Sequence, residues 1–193
     1  MVLIIMLSMF IVRLLFLKIS IKNEKNILAN GGREFGKINS QFLTLLHILV
    51  YFFATLEAIL KKVPFDKWSL LGVSLMIFSL FVLYWVTQLL EGIWTVKLMI
   101  AKNHKFVDHW LFRYIKHPNY FLNICPELIG IALLCHAKVT AMVLFPLYAI
   151  TIAIRIHEEN RLIKEVIIPN GYLKKKCLIL SLCFLKDKKC LFP

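Results

Sequence analysis

Apolar residues are concentrated in five runs along the chain, and polar or basic residues separate them. The runs cover residues 1–19, 41–60, 68–94, 121–136 and 139–154. A helix needs about 20 mostly apolar residues to cross a bilayer. The pattern therefore predicts an all-α, multi-span transmembrane protein with about five spans, organised as a single domain over residues 1–193.

The last two runs are the shortest, and only Ala137 and Lys138 separate them. A connection this short predicts a tight helical hairpin, in which the start of the first helix lies near the end of the second. Arg13 and His47 fall inside the first two runs. Ionisable groups in a membrane are expensive and often functional, but a hydrogen bond from His47 to a neighbouring helix is an equally simple interpretation.

Composition and charge agree with a membrane protein. Hydrophobic residues make up 60% of the chain and charged residues 18%, which is more apolar than soluble domains are. The net charge is +13, but the basic residues lie between apolar runs instead of forming a basic domain, so no nucleic-acid partner is expected. Most of them fall in residues 18–37, 97–116 and 155–189. Five spans place these segments on one side, which the positive-inside rule assigns to the cytosol.

Two clusters of polar side chains are candidates for chemistry. The first, His117-Pro118-Asn119-Tyr120, opens the fourth apolar run. Proline is well tolerated in the first turn of a helix, and the free amide groups of a helix start attract anions. The second cluster, at the end of the fifth run, contains Arg155 and the pair Glu158-Glu159. On its spacing alone this cluster is typical of an exposed helix-surface ion pair. The hairpin nevertheless predicts that both clusters meet in one site.

The two blocks, separated by an apolar hairpin, resemble the isoprenylcysteine carboxyl methyltransferase family in its bacterial form. The resemblance rests on His-Pro-Asn-Tyr at 117–120, on Arg155 and on Glu158-Glu159-Asn-Arg-Leu162, with residues 31–36 and His47 in support. Lys116 stands where the family has Arg, and residues 173–193 form an atypical tail to which no chemistry is assigned.

The resemblance implies a cytosolic pocket for S-adenosylmethionine and gives each site residue a role. Arg155 falls on the position that holds the substrate carboxylate. The cofactor contacts fall on His104, Lys105, Phe106, Val107, Phe112, His117, Pro118, Asn119, Tyr120 and Glu158. No metal site is expected, because the five cysteines form no Cys-x-x-Cys pair.

The resemblance therefore implies an S-adenosylmethionine-dependent methyltransferase acting on a carboxylate or thiol of a lipophilic or prenylated substrate. A phospholipid N-methyltransferase, an NADPH-dependent membrane reductase of the sterol-reductase type and a non-catalytic membrane protein are the alternatives. The expected location is a multi-pass position in a membrane, with the bacterial inner membrane favoured over the endoplasmic reticulum. The sequence leaves the oligomeric state and the methyl acceptor open.

Overall fold

In the part of the chain that the structure describes, four helices are long and apolar enough to cross a bilayer. The computed structural model describes residues 1–102 and 109–167. Its helices are α1 (Val2–Ala29), α2 (Lys37–Leu60), α3 (Lys67–Leu89), α4 (Trp110–Tyr114), α5 (Cys125–Leu134) and α6 (Lys138–Leu162), and its strands are β1 (Arg33–Phe35) and β2 (Leu98–Ile100). The prediction of a multi-span helical membrane protein is confirmed.

The four long helices are α1, α2, α3 and α6, and they correspond to four of the five predicted spans. The fourth predicted span is a shorter helical stretch, Asn119–Leu134. It begins with a π-helical turn, Asn119–Ile124, that continues directly into α5. At 1.5 Å per residue, about 16 residues reach roughly 24 Å, less than the ~30 Å hydrocarbon core. The outward faces of all these helices expose large apolar side chains, as lipid contact requires.

A two-stranded antiparallel sheet is the one departure from an all-α fold within the described residues. β1 pairs with β2, with Arg33 opposite Ile100 and Phe35 opposite Leu98. The sheet ties the loop after α1 to the chain that follows α3, at the same end of the bundle as the end of α6, since Ile100 and Leu162 share a small apolar cluster.

At the opposite end of the bundle, two carboxylates accept hydrogen bonds from amides at the starts of helices. Asp66 Oδ1 accepts a hydrogen bond of 2.8 Å from the amide of Ser69 at the start of α3. This bond, together with that to His136, holds the pKa of Asp66 below its ordinary value. Glu57 Oε2 accepts from the amide of Thr140 at 3.1 Å and from its hydroxyl at 2.8 Å, at the start of α6. The amides of Ser69 and Thr140, which the starts of α3 and α6 leave without partners inside the helix, thus donate to carboxylates.

The two arms of the predicted hairpin are present, but they pack on different neighbours. α5 packs chiefly against α3, and α6 against α2. The α3–α5 contact depends on two glycines, because a Cβ added to Gly72 would lie 2.6 Å from the carbonyl oxygen of Gly130. Small residues at such a crossing let helix backbones approach closely in a membrane.

A buried polar network crosses the centre of the bundle. Arg13 Nη2 of α1 lies 2.6 Å from Glu127 Oε2 of α5, and it donates hydrogen bonds to Ser79 Oγ at 2.7 Å and to Asn123 Oδ1 at 2.8 Å. Glu127 is 1% exposed, so its charge depends on this ion pair. Sequence analysis singled out Arg13 but missed Glu127, which lies in an otherwise apolar run.

The same network reaches α2 and α6. Tyr51 donates a hydrogen bond of 2.7 Å to Glu127 Oε1, and His47 Nε2 lies 3.6 Å from that oxygen. The other ring nitrogen of His47 hydrogen-bonds the hydroxyl of Tyr148 at 3.0 Å. His47 therefore does bond a neighbouring helix, and one carboxylate links elements from every long helix of the bundle.

Loss of the Glu127 carboxylate should be strongly destabilising. Glu127→Ala leaves the Arg13 guanidinium buried without its counter-charge, and breaking a buried pair in this way costs about 3–5 kcal/mol. Thermal unfolding of the detergent-purified protein measures the loss, with the exposed Glu91→Ala as the control. The double variant Arg13→Leu/Glu127→Leu should recover part of the loss. A Glu127→Ala protein as stable as Glu91→Ala would contradict the network's role.

Candidate functional site

The first predicted cluster lies where the chain re-enters the bundle. Pro118, with φ −61°, precedes the π-helical turn as its N-cap, in keeping with the fixed φ of proline. His117 and Tyr120 are buried, 8% and 7% exposed. Asn119 is half-buried, and its Oδ1 accepts a hydrogen bond of 2.8 Å from Asn123 Nδ2. This part of the site is thereby connected to the buried network around Arg13.

Arg155 of α6 is the most enclosed charged group of the site, 2% exposed. Its guanidinium donates to Ser40 Oγ of α2, to the carbonyl oxygen of Val96 at 3.0 Å and, through Nε, to Tyr120 Oη at 3.3 Å. A buried guanidinium has five N–H donors to satisfy. Three separate parts of the chain supply the acceptors, so its position is tightly defined.

Glu159 joins the two clusters. Its Oε2 lies 2.9 Å from His117 Nδ1, its Oε1 accepts a hydrogen bond from the hydroxyl of Tyr120, and the same oxygen lies 3.5 Å from Arg155 Nε. The structure thus brings His117 and Tyr120 together with Arg155, as the hairpin predicts. The carboxylate between them is Glu159, one helical turn after Arg155, whereas sequence analysis gave the site role to Glu158.

Glu158 faces a different surface. Its Oε2 lies 3.5 Å from Asn39 Nδ2 and so close to Gly36 that a Cβ there would be 2.3 Å away. Gly36 has φ +54°, a left-handed conformation that glycine adopts without strain. Glu158 also lines a groove of about 410 Å³ between α2 and α6, whose other walls are mainly apolar: Ile38, Asn39, Phe42, Leu147, Ile150, Thr151 and Ile154. Among the side chains that the structure describes, Glu158 has no cationic partner.

The other predicted contacts are placed only in part. Phe112 is half-buried on α4. His104, Lys105, Phe106 and Val107 lie outside the described residues. Sequence reasoning missed Ser40 and the Val96 carbonyl, because neither a serine near a helix start nor a backbone oxygen carries a signal of its own. Glu158 and Glu159 are adjacent in sequence, so only the orientation of α6 decides which of the two contacts His117 and Tyr120.

Five buried polar side-chain atoms lack a hydrogen-bond partner among the described residues, and three of them lie outside the Arg13–Glu127 network. His117 Nε2 has no hydrogen-bond partner among the described residues, although Glu159 holds the other nitrogen of the ring. Asn160 Oδ1 and Glu34 Oε1 are also buried, and neither has a hydrogen-bond partner among the described residues. Buried polar groups are normally hydrogen-bonded, so these atoms are free to meet a polar ligand.

Fold and site define a class: an integral membrane protein with a buried arginine–carboxylate centre at one end of its helical bundle. The sequence model of the isoprenylcysteine carboxyl methyltransferase (ICMT) family matches residues 71–165. The chain belongs to this family, and the family resemblance inferred from the sequence is confirmed. Membership implies a membrane methyltransferase.

Two bacterial relatives extend the match beyond that region. An uncharacterised protein of Haemophilus influenzae is 43% identical over 149 residues, which are 77% of this chain and 87% of the relative. The uncharacterised protein YpbQ of Bacillus subtilis is 31% identical over 147 residues, 75% of this chain and 85% of the relative. No solved structure gives a significant match.

Removal of one hydroxyl tests the junction between the clusters. Tyr120→Phe deprives both Arg155 and Glu159 of a buried partner, and an unsatisfied buried group of this kind costs about 1–3 kcal/mol. Tyr114→Phe is the matched control, since Tyr114 is 85% exposed. Thermal unfolding in detergent should show a lower midpoint for Tyr120→Phe only; equal midpoints would argue against the junction.

Proposed function

We propose that the protein transfers a methyl group from S-adenosylmethionine to a carboxylate, or to a thiol, of a lipophilic acceptor. The observation that carries this proposal is the position of the site. A buried guanidinium, Arg155, lies within one helical turn of Glu158, which lines an apolar groove and has no cationic partner among the side chains that the structure describes. The basic segments on this side of the bundle support a cytosolic site, and the bacterial relatives support a bacterial inner membrane.

The free polar groups fit the cofactor. Among the described side chains no cation pairs with Glu158, whose negative charge would attract one, and His117 Nε2 is a buried nitrogen without a hydrogen-bond partner. The residues proposed to hold the cofactor are Phe112, His117, Pro118, Asn119, Tyr120 and Glu158, together with residues 104–107. When bound, the cofactor supplies a methyl group already activated by the positively charged sulfur, so the protein mainly has to position the reactants.

Arg155 is proposed to orient the acceptor. A guanidinium matches a carboxylate in a two-bond geometry. Glu159 now lies 3.5 Å from Arg155 Nε, so an acceptor carboxylate would compete with an internal one for the same donors. The groove between α2 and α6 supplies apolar walls for the acceptor's tail. A carboxylate is already ionised at neutral pH and needs no general base, which leaves His117 a binding role.

A labelling experiment tests the reaction and separates it from the alternatives. Membranes that contain the protein receive methyl-labelled S-adenosylmethionine, and the lipophilic products are identified. Methyl esters release volatile methanol in base, whereas methylated thiols and amines do not. Label in phospholipid headgroups would instead favour a phospholipid N-methyltransferase. The absence of label, with membranes of an Arg155→Ala variant as background, would overturn the proposal.

Glu158 should control affinity for the cofactor. Glu158→Gln removes a charge that would face the bound cation, and a bond to a charged group contributes about 1.5–3 kcal/mol, so the Kd should rise at least about tenfold. Calorimetric titration of purified protein with S-adenosylmethionine measures the change. Glu165→Gln is the matched control, because Glu165 is an exposed glutamate just after the end of α6. It lies 3.7 Å from Arg161. Equal affinities would remove Glu158 from the site.

Gly36 offers an independent test of the same carboxylate. Gly36→Ala forces Glu158 to move, because the new Cβ would lie 2.3 Å from Oε2. Gly31→Ala shares the cost of a positive φ, but its Cβ would meet only Lys102 Cδ, at 3.4 Å. Both variants should lose about 1–2 kcal/mol of stability, and only Gly36→Ala should weaken binding of S-adenosylmethionine. Equal binding by the two variants would contradict the proposed role.

Arg155 should affect turnover more than cofactor binding. Loss of its oriented bonds to the acceptor should lower kcat/KM on the order of a hundredfold in Arg155→Lys, about 2.7 kcal/mol, while the Kd for S-adenosylmethionine changes by less than about threefold. Lysine lacks the forked geometry of arginine but keeps its positive charge, and the retained charge limits the damage to the fold. Wild-type turnover in Arg155→Lys would exclude this role for Arg155.

A further inference from the structure

A short segment between α3 and β2, residues 94–97, is held on one side by α1 and on the other by Arg155. We name it the strap. Asn23 Nδ2 of α1 donates a hydrogen bond of 2.8 Å to the carbonyl of Trp94, and the amide of Val96 donates one of 2.9 Å to Ser20 Oγ. The carbonyl of the same residue, Val96, accepts the bond from Arg155 Nη2 at 3.0 Å.

Side chains on one face of α1 bind the strap. Residues three and four apart on a helix share a face, and Ser20, Asn23 and Glu24 follow that spacing. Ser20 is 2% and Asn23 8% exposed, so the first two bonds are shielded from water. Lys97 lies 2.5 Å from Glu24 and 3.5 Å from Glu34. The hydrogen bond that Lys97 donates to Glu24 raises the pKa of Lys97 above its ordinary value, so the contact is ionic at neutral pH.

We propose that Ser20 and Asn23 are positioning residues for the acceptor site, acting through the strap on Arg155. The proposal rests on the proposed function of Arg155 and goes beyond it, because α1 lies outside residues 71–165 that match the family. Without these two bonds the backbone before the Val96 carbonyl is no longer tied to α1, and only Lys97 still joins the strap to that helix. The Val96 carbonyl then no longer fixes one edge of the guanidinium, and Arg155 loses the orientation that an acceptor carboxylate needs.

The first test needs no enzymatic activity. Phenylglyoxal modifies accessible arginines, and mass spectrometry of the peptides follows each site. Arg161, 60% exposed in its side chain, is the reference for full reactivity, and Arg13, 14% exposed, reports the integrity of the bundle. In Ser20→Ala/Asn23→Ala, modification of Arg155 relative to Arg161 should become several-fold faster while Arg13 stays protected. Ser8→Ala is the matched control, since this exposed serine bonds only within α1.

Phenylglyoxal modification of Arg155 and Arg13 can have three outcomes. Unchanged protection of Arg155 in the double variant would overturn it. Faster modification of both Arg155 and Arg13 would also overturn it, because α1 would then support the whole bundle and not the strap. Selective exposure of Arg155 would support it even if the wild-type protein transferred no methyl group, in which case the proposed function alone would fail.

Kinetics give the second test once an acceptor is known. Ser20→Ala/Asn23→Ala should raise KM for the acceptor about three- to tenfold and leave the Kd for S-adenosylmethionine unchanged. In an Arg155→Lys background the same pair of changes should add almost nothing, since residues that act through one group are not additive. A full additional loss in that background would show that α1 acts by another route.

Discussion

A charged guanidinium buried among apolar helices must find acceptors on every side, and this requirement organises the end of the bundle that carries the site. Arg155 obtains its acceptors from α2, from the strap, from the start of the π-helical turn and from its own helix. Burial of such a charge without partners would cost several kcal/mol. Four parts of the chain that are distant in sequence are therefore held in one arrangement by the needs of a single side chain.

The centre of the bundle repeats this solution with a different pair. Arg13 and Glu127 compensate each other's charge, Ser79 and Asn123 accept hydrogen bonds from Arg13, and Tyr51 donates one to Glu127. Asn119 and Asn123 of the π-helical turn before α5 lie between the two charged centres and are hydrogen-bonded to each other. Polar side chains thus extend from one charged centre towards the other, inside a protein whose outer surface is apolar. Lipid offers no driving force for helices to associate through apolar faces, so these polar contacts and the glycine crossing of α3 with α5 make the packing specific.

The sequence predicted the elements well and their contacts only in part. Long apolar runs indicated the helices directly, and the short link at Ala137 and Lys138 indicated that His117 and Arg155 meet. The choice of Glu159 over Glu158 as the junction could not be made, because both lie near Arg155 on a helix and only the rotation of α6 against α5 separates them. Glu127 and the strap were missed because a lone glutamate and a backbone carbonyl acquire meaning only from the partners that tertiary structure brings to them.

The two ends of the bundle are fastened in different ways. At the end remote from the site, Asp66 and Glu57 bind backbone amides, which no ligand replaces. At the site end, His117 and Tyr120 contact α6 through the side chain of Glu159, and a bound ligand can exchange with such side-chain contacts. The turn at residues 135–137 therefore joins the two helices at the end where backbone amides hold them, and the contacts that a ligand could replace all lie at the other end.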